Sequence, residues 1–107
     1  MGFTNLMREQ LESADDLEVV VSMVEVPPGV RLPAHTHPGE EFAYVMDGEI
    51  TLWMEGEGER LVKAGEAGKV PLAKVHTIHT GDVGAKLLVF RVHQLGQPER
   101  ILVDAAE

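Results

Sequence analysis

The sequence of 107 residues contains no cysteine. Disulfides, thiolate zinc sites and cysteine nucleophiles are therefore excluded, and any metal must be held by nitrogen and oxygen. Basic residues are scarce, 9 against 18 acidic ones, for a net charge of −9. Nucleic-acid binders draw much of their affinity from concentrated positive charge. No basic run occurs, so no nucleic-acid partner is expected. The N-terminal MGFTNLMREQLE lacks a basic head followed by an apolar stretch, which argues against a secretory signal. No apolar run approaches the ~20 residues that span a bilayer. These absences predict a cytoplasmic chain with no membrane partner. Long helical patterns and internal repeats are missing too. The one low-complexity stretch, EGEGE at 55–59, reads as a solvated hairpin tip.

What is present is a series of short strand candidates, with a length that predicts one domain over 1–107. LEVVVSMVEV (17–26) is β-branched and stops at Pro27-Pro28-Gly29. EFAYVM and EITLWM flank Asp47-Gly48, a dipeptide that predicts a hairpin turn. RLVKAG, KVP and VHTIHT are shorter, and AKLLVFRVHQL (85–95) is the last long candidate. Strands recurring every ~8–12 residues predict an all-β sandwich or barrel. NLMREQLES (5–13) reads equally as a short helix or an edge strand. Strand parity sets Leu17, Val19, Val21 and Met23 on one face and Val20, Ser22, Val24 and Val26 on the other. Both faces are mostly apolar, so a second layer or a partner covers the outer one. A homodimer is the expectation.

The chemistry concentrates in PAHTHPGEEF (33–42). On a strand, His35 and His37 share a face with Cα atoms ~6.5–7 Å apart. Their imidazoles can converge on one ion at ~2.0–2.1 Å. Glu41 keeps the parity of His37, whereas Glu40 points the other way. A further ligand must come from a neighbouring strand, where His76, His79 and His93 are available. His76 and His79 lie three apart, so only one of them reaches the same centre. His93 stands among alternating apolar residues and reads as a core or rim histidine with a hydrogen bond.

The spacing Gly29, five residues, His35, one residue, His37, three residues, Glu41, six residues, Gly48 resembles the first signature motif of the cupins. Gly65, five residues, Pro71, then His76 and Thr80 is similar to the second. Two departures occur: Ala73 stands where the family usually has Gly, and Thr80 where it usually has Asn. The resemblance implies a double-stranded β-helix, the jelly-roll barrel, with little helix. It implies metal ligands at His35, His37, Glu41 and His76 and none at His79 or His93. One divalent transition metal is expected (Fe, Mn, Zn, Ni or Cu), with a small-molecule ligand inside the barrel. Four protein ligands leave a position open for substrate, and the excess positive charge favours an anionic or enolisable one. The implied functions are a metal-dependent enzyme on a small oxygen-bearing organic substrate (a dioxygenase, isomerase, decarboxylase or lyase) or a ligand-sensing module acting with a partner. No separate acid/base pair is evident beyond Glu41 and His93.

A lining of Ala43, Val45, Ile50, Leu52, Met54 and Ile78, with Leu88 or Phe90, is expected for the cavity. Phe42, Tyr44 and Trp53 fall outside it by parity. Ala67 and Gly68 either widen the pocket or loosen an edge strand.

Overall fold

The computed structural model of the chain describes residues 1–98 and 100–103; residues 99 and 104–107 lie outside the described part. The order is β1 (Gly2–Gln10), β2 (Leu17–Val26), β3 (His35–Thr36), β4 (Glu40–Met54), β5 (Gly58–Lys63), β6 (Ala67–Val70), β7 (His76–His79), β8 (Ala85–Gln94) and β9 (Ile101–Leu102). No helix long and apolar enough to cross a membrane occurs among the described residues. All pairings are antiparallel. One sheet runs β1-β2-β8-β4-β6, the other β5-β4-β7-β3-β9, and β4 belongs to both. This is the expected all-β jelly-roll architecture.

The sharing of β4 corrects the hairpin expected at Asp47-Gly48. The chain does not reverse there. Residues 40–48 pair with β8 and β6, and residues 49–54 pair with β5 and β7. The register slips between Val45 and Asp47 opposite β8. This bulge bends the strand from one sheet into the other. Gly48 takes φ +74°, and a Cβ there would stand 1.8 Å from the Gly84 carbonyl oxygen, so only glycine fits the corner.

The segment read as helix or edge strand is an edge strand, β1, paired among the described residues with β2 alone. All nine of its residues are exposed, so no buried face was there to give it a periodic signature.

Alternation decides the rest. On β2, Glu18, Val20, Ser22, Val24 and Val26 are buried while Leu17, Val19, Val21 and Met23 are only half-buried. On β8 the inward row is Ala85, Leu87, Val89, Arg91 and His93. The core joins Val24, Val26, Leu87 and Val89 of the first sheet to Ile50, Leu52 and Val62 of the second, with Val45 and Val70. Each such aliphatic side chain contributes roughly 1.5–3 kcal/mol when fully buried. The inner face is apolar toward Val26 and Ala85 and polar toward Glu18 and His93. That polar end carries the site.

Candidate metal centre

Three short elements bring the histidines together. Pairing of β3 with β7 sets His35 directly opposite His76. His37 follows at the start of the turn into β4, and Glu41 is the second residue of that strand. All four are buried, with His76 only 1% exposed. The ring centroids of His35, His37 and His76 lie 4.3 to 5.0 Å apart. One nitrogen from each lies within 4.8 Å of the others, so this triad can hold a metal ion.

The backbone chooses which nitrogen faces inward. The Nδ1–H of His35 donates to the Pro33 carbonyl at 2.8 Å, and that of His76 to the Lys74 carbonyl at 3.0 Å. Both rings thus keep a bare Nε2 lone pair, the usual way in which an outer partner fixes the tautomer of a ligating histidine. His76 Nε2 is buried 3.5 Å from Glu41 Oε1 and makes no hydrogen bond among the described residues. His37 Nε2 lies 2.9 Å from Glu41 Oε2.

Electrostatics follow from crowding and burial. Burial pushes the His35 imidazole down to about 4, and the neighbouring His76 and His37 add to that effect. Burial alone pushes the Glu41 carboxyl up. The imidazoles of His37 and His76 and the Arg91 guanidinium outweigh it and hold the group well below the usual carboxylate range. At neutral pH Glu41 is therefore a carboxylate beside a neutral His35 imidazole.

Arg91 was not singled out by sequence. It is 5% exposed, and its Nε donates to Glu41 Oε2 at 3.0 Å. Its register partner on β4 is Glu41 itself. Behind it, Ser22 Oγ donates to Asn5 Oδ1 at 2.6 Å, carrying the network to β1. A second polar cluster lies further along the same inner face. Glu18 Oε2 is 2.9 Å from His93 Nε2 and 2.6 Å from an Arg8 NH1. The signal for both was parity: Glu18 and Ser22 on β2 and Arg91 and His93 on β8 occupy matching ends of adjacent inward rows.

The remaining sequence expectations sort cleanly. His79 faces away from the cluster and accepts a hydrogen bond at Nδ1 from Arg31 at 3.1 Å. Glu40 points outward and pairs with Lys69 at 2.7 Å. Thr80, standing for the usual Asn, accepts from the Val30 N–H and donates to the Pro27 carbonyl at 2.6 Å, so it fastens the loop before β3. Ala73 takes φ 59°, the left-handed conformation that the family's glycine adopts freely.

The cavity beside the cluster has a volume of about 60 Å³. Ala43, Val45, Ile50, Leu52 and Ile78 line it as expected, and so does Gly68 of edge strand β6. Met54 packs on the core and is absent from the lining. Leu87 and Val89 take the places offered to Leu88 and Phe90, because the inward row of β8 has odd parity.

Residues 22–91 match the family model of the cupin domain. No curated protein matches the sequence at a significant level. Among solved structures, the chain is similar to the DMSP lyase DddQ from Ruegeria pomeroyi DSS-3, at 25% identity and a TM-score of 0.76, over 98% of this chain and 53% of that one. It resembles an oxalate oxidase at 28% identity and a TM-score of 0.67, over 79% and 46%. The polyketide cyclase RemF from Streptomyces resistomycificus, at 24% identity and a TM-score of 0.70 over 94% and 82%, shares the fold. The chain spans about half the length of the lyase and of the oxidase. The barrel, the two motifs and the family match agree: the chain belongs to the cupin domain family.

Proposed function

We propose that His35, His37, Glu41 and His76 hold one divalent transition metal ion, and that the chain is a metal-dependent enzyme acting on a small oxygen-bearing organic molecule in the barrel. The convergence of three imidazole nitrogens within 4.8 Å beside a carboxylate supports this reading most directly. Opposed ligands on an ion at ~2.0–2.1 Å lie about 4.2 Å apart at most, so small ring rotations suffice to close the set. The buried, unbonded Nε2 of His76 supports it too, since an orphaned buried polar atom is costly unless something fills the gap. The nitrogen and oxygen donors suit Fe, Mn, Ni, Cu or Zn.

A bound ion of this kind polarises a substrate oxygen or activates water. The protein's own residues do the rest. The Pro33 and Lys74 carbonyls fix two rings. Arg91 holds one oxygen of Glu41, which sets the tilt of that carboxylate. The aliphatic wall excludes water and strengthens every charge interaction inside. The names of the lyase and the oxidase point to chemistry on small molecules, of lyase or oxidase type. Calorimetric titration of Mn²⁺ or Zn²⁺ into metal-free protein tests the reading. One site per chain, lost in His76→Ala, is expected; no binding, or equal binding by the variant, overturns it.

One observation favours a second reading, a binding or sensing module. Among the described residues, the cavity lining holds no carboxylate besides Glu41 and no histidine besides His35 and His76. Ligand-induced stabilisation without turnover would select that reading.

We infer a homodimer from the outer face of the first sheet. Met7, Val21, Phe90 and Phe42 form one outward row across four strands, and Met23, Leu88 and Tyr44 a second. Phe42, Tyr44 and Phe90 are 38 to 44% exposed. A contiguous apolar face of this kind marks an interaction surface. Light scattering of Phe90→Glu against the wild type tests it, with a shift to monomer expected and an unchanged mass against it.

A further inference from the structure

Charge is distributed unevenly between the cavity and the rest of the chain. The sequence holds 18 acidic and 9 basic residues. Among the described residues, the cavity lining reverses that balance, with two guanidiniums, Arg91 and Arg100, against the carboxylate of Glu41. That carboxylate is already engaged by His37, His76 and Arg91. Arg91 is buried on the inward row of β8. Arg100 is exposed just ahead of β9, which pairs with β3 so that Leu102 stands opposite His35. Met1 and Phe3 of the N-terminal end are the other exposed lining residues among those described and mark the same mouth.

Aliphatic walls screen poorly and focus the field of the groups they surround. A neutral ligand would dry this cavity while offering nothing to its positive charge. A carboxylate matches a guanidinium in shape as well as in sign. The negative charge of the chain as a whole repels anions, so a cationic mouth is what admits one. The cavity of about 60 Å³ is small against the ~300–1,000 Å³ of usual ligand pockets. Its occupant therefore has a short body, and the aliphatic lining fits an apolar one.

We infer that the barrel takes a small organic carboxylate with a short aliphatic body, and that Arg100 at the mouth determines this specificity. Arg91 supplies positive potential at depth while it holds Glu41. The inference names the substrate class of the site proposed above and rests on that reading for the chemistry, but not for the binding.

The test compares acetate, propionate and butyrate with their amides, by calorimetry and thermal shift, on metal-loaded and metal-free protein. At least one carboxylate is expected to bind both forms and to outbind its amide. Arg100→Gln is expected to weaken carboxylate binding by about tenfold, the effect of losing one charged hydrogen bond, and to leave amide binding unchanged. Arg100→Lys, which keeps the charge and loses the fork, is expected to fall between. Equal binding of acids and amides, binding of neither, or an Arg100→Gln variant that binds carboxylates like the wild type overturns the inference. Protein that holds no metal yet selects carboxylates through Arg100 supports the inference and defeats the metal reading. The two failures are thus distinguishable.

Discussion

Two buried polar clusters lie along the inner face of the first sheet, one of them reaching β3 and β7 of the second, and they are built differently. Each contains a carboxylate gripped by an arginine: Glu41 by Arg91, and Glu18 by Arg8. Around Glu18 there is one imidazole, His93, at 2.9 Å. Around Glu41 there are two, with a third ring, His35, packed against both. The first arrangement is an ion pair with a histidine attached, and its one orphaned nitrogen, His93 Nδ1, has no second imidazole to converge with among the described residues. The second holds more lone pairs than its neighbours can satisfy, with two rings turned inward by backbone carbonyls. Convergent lone pairs, rather than buried charge, distinguish an ion site from a structural clamp.

The largest expected effect breaks the Glu41 side. Glu41→Ala strips a buried guanidinium of its carboxylate, and breaking such a pair costs ~3–5 kcal/mol, readable by urea unfolding of metal-free protein. A loss under ~1 kcal/mol, the range of exposed pairs, contradicts the buried geometry.

Acid comes next. The folded value of His35, about 4, lies below its ordinary 6.5, so the unfolded chain takes up the proton first. The stability tied to a neutral His35 is complete above about 6.5 and is lost as pH falls toward about 4. Glu41, depressed below its ordinary 4.5, adds a loss at still lower pH. Metal-free protein followed by thermal melting should weaken across this window. His35→Asn, whose amide can still donate to Pro33, should flatten that part of the curve; an identical curve would count against it.

Metal at a hundredfold excess over Kd should then stabilise the wild type by ~2.7 kcal/mol. Glu18→Ala should keep that gain and His76→Ala should lose it. Glu18→Ala itself should cost only ~1–2 kcal/mol, because the Arg8 side chain is 43% exposed and regains water. Equal metal responses in the two variants would erase the distinction between the clusters. The smallest effect lies away from both. Ala73→Gly should stabilise by about 1 kcal/mol, since φ 59° strains a residue with a Cβ.

Much of this was legible in the sequence, for identifiable reasons. Strand parity grouped His35, His37 and Glu41, although a turn separates β3 from β4, and fixed spacing against Gly65 and Pro71 selected His76 over His79. The Asp47-Gly48 turn was misread because a hairpin and a sheet-switching bulge both demand positive φ, and residue chemistry alone does not separate them. Edge strand β1 gave no pattern because it buries no side chain. Arg91 and Glu18 were overlooked because a charge inside an apolar strand signals burial only when its partner on the next strand is known.

The central claim is that the three imidazoles and Glu41 form a metal site. Metal analysis of protein purified without chelator or nickel affinity resin tests it most directly, with His37→Ala prepared in parallel. The account predicts about one equivalent of a single transition metal per wild-type chain and a trace in the variant. Wild-type protein that carries no metal and takes none up, or a variant that carries as much, would contradict it.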